Sequence, residues 1–157
     1  MNLIIFGATG TVGRQLVQQA LFNGDHVKAF GRNVYTTDYL PTGPSGQTEN
    51  LQLVQGALFD EGEVYNAIKG CDAVVSAIGG SMDGTDKTRT LGMKNIIKQM
   101  QKAGVKRIIG IGGLGVLNAD ENSMLIDKED YPAEYKAVGF EHKKAFELLN
   151  ESGLDWT

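Results

Sequence analysis

A hydrophobic strand, a glycine-rich turn and a helix start follow one another at the beginning of this chain with no spare residue between them. Asn2-Leu3-Ile4-Ile5-Phe6 runs into Gly7-Ala8-Thr9-Gly10-Thr11-Val12-Gly13, and then into the helical pattern Arg14-Gln15-Leu16-Val17-Gln18-Gln19-Ala20-Leu21. Such a turn aims backbone N–H groups and the positive end of a helix dipole at one point, where a phosphate is the natural occupant. Gly7 suits the tight turn, Gly10 lets the backbone approach a pyrophosphate, and Gly13 lets the helix pack against the strand. Glycine is abundant (21 of 157 residues), so the spacing alone is weak evidence. Its position between a strand and an amphipathic helix makes it a nucleotide-binding signal.

The rest of the chain fits around that turn. At 157 residues it is long enough for one domain with a real core. Hydrophobic residues make up 41% and charged residues 22%, an ordinary globular balance. A net charge of −4 argues against nucleic acid as the main partner, because phosphate backbones demand a basic face. No apolar run approaches the ~18 residues needed to cross a bilayer, and the N-terminus reads as a core strand and not as a signal peptide. A single cysteine, Cys71, leaves no intramolecular disulfide and suits a reducing cytoplasm. Standing before Asp72-Ala73-Val74-Val75, it reads as a small buried residue.

Apolar runs alternate with helical patterns at βαβ spacing, which implies a doubly wound parallel sheet of the Rossmann type. Strands are expected near 2–6, 26–30, 51–55, 72–78 and 105–111, with a sixth opening at Leu154. Helices are expected near 11–23, 60–69, 87–104 and 134–152. Gly24 and Gly104 stand where helices should stop. Segments 36–50 and 112–132 read as irregular loops, the second at the carboxyl end of a strand, where function collects. Leu154-Asp155-Trp156-Thr157 looks like a buried strand cut short, so the expectation is a single NAD(P)-binding domain over 1–157 with a substrate-binding segment beyond it.

The glycine turn, the run Lys94-Asn95-Ile96-Ile97-Lys98-Gln99-Met100-Gln101-Lys102-Ala103-Gly104-Val105-Lys106-Arg107-Ile108-Ile109 and the tail Glu147-Leu148-Leu149-Asn150-Glu151-Ser152-Gly153-Leu154-Asp155-Trp156-Thr157 resemble the atypical short-chain dehydrogenase/reductase family. Within it the chain is most similar to the NAD(P)H-dependent flavin reductase and biliverdin reductase B type, with the NmrA-like redox sensors nearby. The likeness covers nearly the whole chain.

An NAD-specific site ends its second strand with a carboxylate for the ribose 2′-hydroxyl. Here His26-Val27-Lys28-Ala29-Phe30 leads to Gly31-Arg32-Asn33, and Arg32 offers a cationic fork suited to a 2′-phosphate. NADP(H) is therefore expected in preference to NAD(H). The resemblance implies further contacts from Thr9, Thr11 and Val12, from Ala57 and Leu58 near the adenine, and from Ile78, Gly79, Gly80 and Gly112. Family members often carry an aspartate where this chain has Ala57, so only backbone contacts are expected there.

The acid–base pair of ordinary short-chain dehydrogenases, Tyr-x-x-x-Lys, is absent. Alignment puts Val138 in the tyrosine's place and His142 in the lysine's, while Tyr131 and Tyr135 lack a lysine four residues on. Gly113 stands where the family has a serine or threonine, leaving the backbone N–H groups of Gly112 and Gly113 as substitutes. The flavin-reductase type also lacks the tyrosine and shows a histidine like His142, which implies a contact to the nicotinamide ribose and a possible proton source. A surface histidine with no task is the alternative. Only His26 and His142 are available, without ligand spacing, so no metal site is expected. The charged run 120–130 reads as a solvated loop or, less simply, a lid. Ser81-Met82-Asp83-Gly84-Thr85-Asp86 is a second candidate edge of the substrate cleft.

The expected function is hydride transfer from NADPH to a flavin, quinone or similar conjugated acceptor, by a monomer or homodimer. The alternatives are a non-catalytic NADP(H)-binding sensor and a sugar-nucleotide epimerase or dehydratase, the last disfavoured because it needs the tyrosine base.

Overall fold

In the computed structural model, which describes residues 1–35, 39 and 49–157, six parallel strands form one sheet in the order β3-β2-β1-β4-β5-β6. The strands are β1 (Asn2–Phe6), β2 (His26–Gly31), β3 (Leu51–Gln55), β4 (Ala73–Ser76), β5 (Arg107–Gly110) and β6 (Asp155–Trp156). The helices are α1 (Thr11–Phe22), α2 (Glu61–Ile68), α3 (Thr88–Ala103) and α4 (Ala133–Glu151). This is the doubly wound order expected from the alternation of patterns. Of the loop expected over 36–50, only Tyr39, Glu49 and Asn50 fall among the described residues.

Two apolar layers hold the sheet. On one face Ile4, Phe6, Val74 and Ile108 pack against Val64, Ile68, Ile96, Met100 and Leu149 of α2, α3 and α4. On the other, Ile5, Val27 and Ala29 pack against Val17, Ala20 and Leu21 of α1. Central β1 is buried on both faces and reads as a continuous apolar run. Edge strand β3 is only partly buried, which explains its interleaved Gln52 and Gln55. Cys71 is buried, as expected, and burial pushes its thiol pKa up.

Expected boundaries differ from those observed for local reasons. Strand β5 begins at Arg107 and not at 105, because Val105 N–H turns back to the Met100 carbonyl and closes α3 behind Gly104 (φ 73°). Strand β4 ends at Ser76 and not at 78, with Ala77 N–H making a last bond to the Phe6 carbonyl and Ala77 itself packed against Gly7. No helix among the described residues is long and apolar enough to cross a membrane.

Segment 112–132 is more ordered than an irregular loop. It contains two 3-10 turns, Leu114–Val116 and Leu125–Asp127. It is tied down by an Asp120–Lys128 ion pair and by Lys143 of α4, whose Nζ lies 2.6 Å from Asp127. Gly115 and Gly139 let the segment close on α4 around the Tyr131 hydroxyl, since a Cβ on either would stand 2.9 or 3.0 Å from it.

Candidate functional site

The order reverses between β1 and β4, and the carboxyl ends of β1 through β4 open there into a cleft of about 510 Å³. This is where the topology of an open α/β sheet puts ligands. Gly7, Thr9 and Gly10 form its floor, Gly31 and Arg32 one wall, Ala57 and Leu58 a second, and Ile78 and Gly79 a third. Eight of the residues singled out from sequence thus converge on one cavity.

The glycines of the turn divide by task. Gly7 sits at φ +77°, and a Cβ on it would lie 2.3 Å from the Ala77 carbonyl oxygen, so the fold itself demands glycine. The same holds at Gly13, where a Cβ would stand 2.0 Å from the Gly7 oxygen. Gly10 is different. Its φ of −74° is ordinary, and a Cβ there would meet nothing nearer than the Gly7 oxygen at 3.3 Å. Gly10 is itself exposed and lines the cleft.

Gly10 caps α1 without any side-chain hydrogen bond, and the first intrahelical bond runs from Arg14 N–H to the Gly10 carbonyl at 2.9 Å. Thr11 and Val12, both exposed, occupy the first turn, so their N–H groups precede that bond. An uncapped helix start over an open cleft suits an anion. No carboxylate stands at the end of β2, where Arg32 lines the wall.

The family model for NAD(P)H-binding proteins matches residues 7–157. The chain belongs to the NAD(P)H-binding family. Two relatives set its length in context. The Bacillus subtilis protein YwnB is 25% identical over 100% of this chain and 70% of its own length. Dihydroflavonol 4-reductase of Zea mays is 31% identical over 98% of this chain but only 50% of its own length. Among solved structures, a candidate NADH-flavin reductase from Streptococcus pneumoniae superposes with a TM-score of 0.80 at 26% identity, covering 99% of this chain and 69% of that one. The chain therefore spans half to seven-tenths of the length of these proteins, and the reductase likeness anticipated from sequence is found among them.

Gly80, another predicted cofactor residue, does not line the cleft of this NAD(P)H-binding domain. A Cβ there would lie 2.8 Å from Asp86 Oδ1 and 3.1 Å from Arg89 Nη1, so glycine serves the packing of the loop before α3. Arg89 is buried and donates to the Ser81 and Gly80 carbonyls at 3.1 and 3.2 Å. Of the segment 81–86, expected at the substrate edge, Asp86 instead lines the nucleotide cleft.

Gly112, Gly113 and His142 lie apart from that cleft but two of them meet closely. A Cβ on Gly113 would stand 2.6 Å from His142 Cδ2 and 3.2 Å from Nε2. His142 is half-buried, and burial first, then the Arg89 charge, hold its imidazole below its ordinary pKa against the opposing pull of Glu141. The ring is therefore neutral at pH 7. Val138, which the sequence aligns with the dehydrogenase tyrosine, is buried.

Sequence reasoning missed Phe30, Gly56, Phe59 and Thr88 as lining residues and assigned Asp86 to the substrate edge. Gly56 carried a readable signal, since glycine at a strand end marks a close approach, here of the Phe30 ring at 2.8 Å from a would-be Cβ. Thr88 carried none, because a loop of unknown path separates it from β4.

Proposed function

We propose that the chain binds NADP(H) in this cleft and reduces a flavin, quinone or similar conjugated small molecule. The observation that carries the reading is Gly10, exposed and lining the cleft at an uncapped helix start, with Arg32 and no carboxylate at the end of β2. The residues present fit the cofactor: Gly10 and the N–H groups of Thr11 and Val12 would hold the pyrophosphate, Arg32 and Thr9 the 2′-phosphate, and Ala57, Leu58, Ile78 and Gly79 the adenosine. Bound there, reduced nicotinamide supplies a hydride, the difficult part of the chemistry.

The chain's own residues supply orientation. Gly112 and Gly113 offer backbone N–H donors at the end of β5. His142, neutral and held against Gly113, offers a hydrogen bond to the nicotinamide ribose, and the proton for the reduced acceptor comes from water. No Tyr-x-x-x-Lys pair is required when the acceptor takes hydride directly into a conjugated ring. Steady-state NADPH oxidation with flavins and quinones, NADH being run in parallel, tests this. Turnover with NADPH preferred is expected, and tight binding without turnover for any acceptor would overturn it.

A second reading has its own observation. Val138 buried where the acid should stand, with glycine at 113, suits a sensor that binds NADP(H) and signals to a partner. Such a protein should distinguish the oxidised from the reduced cofactor and turn over nothing. The single buried thiol fits a reducing cytoplasm for either activity.

A further inference from the structure

The geometry points to Asp86 as the acceptor of the purine 6-amino group, a specificity residue supplied by the start of α3 in place of the carboxylate missing at residue 57. The inference rests on the NADP(H) reading. Among the described residues, Asp86 is the one carboxylate that lines the cleft. Its Oδ2 accepts from Ser81 N–H at 2.8 Å and its Oδ1 from Thr88 N–H at 3.0 Å. Those two bonds, that of Thr88 first, with Arg89 adding its charge, hold the carboxyl below the usual range, so it is ionised at neutral pH.

Asp86 lines the same cleft as Ala57 and Leu58, and the helix that follows it is tied to their turn. The Leu58 side chain seats on Gly92, one turn into α3, where a Cβ would lie 2.5 Å from Leu58 Cδ2. Asn95 Nδ2, a further turn along, donates to the Leu58 carbonyl at 2.9 Å. The turn bearing Ala57 and Leu58 is thus fastened to the helix whose first residues follow Asp86.

Chemistry selects the partner. An anionic acceptor is repelled by the phosphates, and purine ring nitrogens are themselves acceptors. Donors on the adenosine half are the 6-amino group and the free ribose hydroxyl. The ribose belongs beside Gly31 and Arg32, so the amino group remains for Asp86. Glu63 is the rival carboxylate, but its Oε2 is engaged by Ala57 N–H at 2.6 Å and it does not line the cleft.

Dissociation constants for NADPH and for its 6-oxo analogue, nicotinamide hypoxanthine dinucleotide phosphate, read this directly on the whole chain. The analogue presents an acceptor where NADPH presents a donor. Wild-type protein should bind NADPH at least about tenfold tighter, the scale of a lost hydrogen bond to a charged group. Asp86→Asn, which can donate to the 6-oxo group, should bring the two within about twofold, and Glu63→Gln should keep the preference. Equal binding by the wild type would overturn the inference without recourse to any variant, while leaving the NADP(H) reading intact. Loss of the preference in Glu63→Gln but not in Asp86→Asn would overturn it too. Binding of neither compound would remove the nucleotide reading and this inference with it.

Discussion

The imidazole of His142 fills the space that a side chain on residue 113 would occupy, with Cγ and Cδ2 at 2.9 and 2.6 Å from an ideal Cβ there. The glycine at 113 and the histidine at 142 are therefore one arrangement. Restoring a serine without moving the ring is sterically impossible.

Gly113→Ser is expected to destabilise the protein by about 1–3 kcal/mol, the range for forcing extra atoms into a packed site. In a His142→Ala background the same change should be close to neutral. A urea-unfolding double-mutant cycle checks this, and additive effects would show that the ring does not hold that space.

Arg32→Ala should weaken NADPH by about tenfold or more, as for loss of a charge-assisted contact, and leave NADH nearly unchanged. Fluorescence titration with both cofactors measures it. Equal losses would remove the assignment of Arg32 to the 2′-phosphate.

Gly7 and Gly10 should part company on substitution. Gly7→Ala combines φ +77° with a 2.3 Å overlap on Ala77 and should cost several kcal/mol or prevent folding. Gly10→Ala should lower stability by no more than about 1 kcal/mol, the difference between these residues at a helix N-cap, while abolishing NADPH binding. A Gly10→Ala protein that binds normally would contradict the proposed pyrophosphate seat.

The pH dependence of stability should carry the signature of His142. Its folded pKa lies below the ordinary 6.5, so the unfolded chain binds the proton more readily. Stability is complete above pH 6.5 and falls as the pH drops through that value towards the folded pKa. Thermal melts from pH 8 to 5 should show a smaller acid loss in His142→Gln, and parallel curves would rule the effect out.

Lys28 of β2 offers a control distant from the cleft. Its Nζ donates to the Ala67 and Lys69 carbonyls at 2.9 and 3.0 Å, meeting the C-terminal end of α2. Lys28→Met should lower unfolding stability by about 1–2 kcal/mol, with NADPH affinity unchanged. A loss of affinity instead would mean that α2 transmits strain to the Ala57 turn.

Most of the fold was legible because it rests on local patterns. A buried strand such as Leu3-Ile4-Ile5-Phe6 declares itself, and Gly24 and Gly104 end their helices where glycine must take positive φ. The floor and walls of the cleft were legible for the same reason, each lying directly after a strand. What stayed hidden depends on distant packing. Nothing near Asp86 in sequence says that its loop returns to the nucleotide cleft, and nothing near residue 113 says that a helix about thirty residues later fills its side-chain space. Gly80 was ambiguous, because a glycine after a strand looks the same whether it faces a ligand or a neighbouring carboxylate.

The glycine turn also bears on the entropy of association. Gly10 N–H donates to the Gly7 carbonyl at 3.0 Å, and α1 seats on the same residue through Gly13, so the turn is closed by its own bonds. An arriving dinucleotide meets amide groups already aimed and has little backbone to order. The glycine turn itself therefore adds little to the entropic penalty of binding.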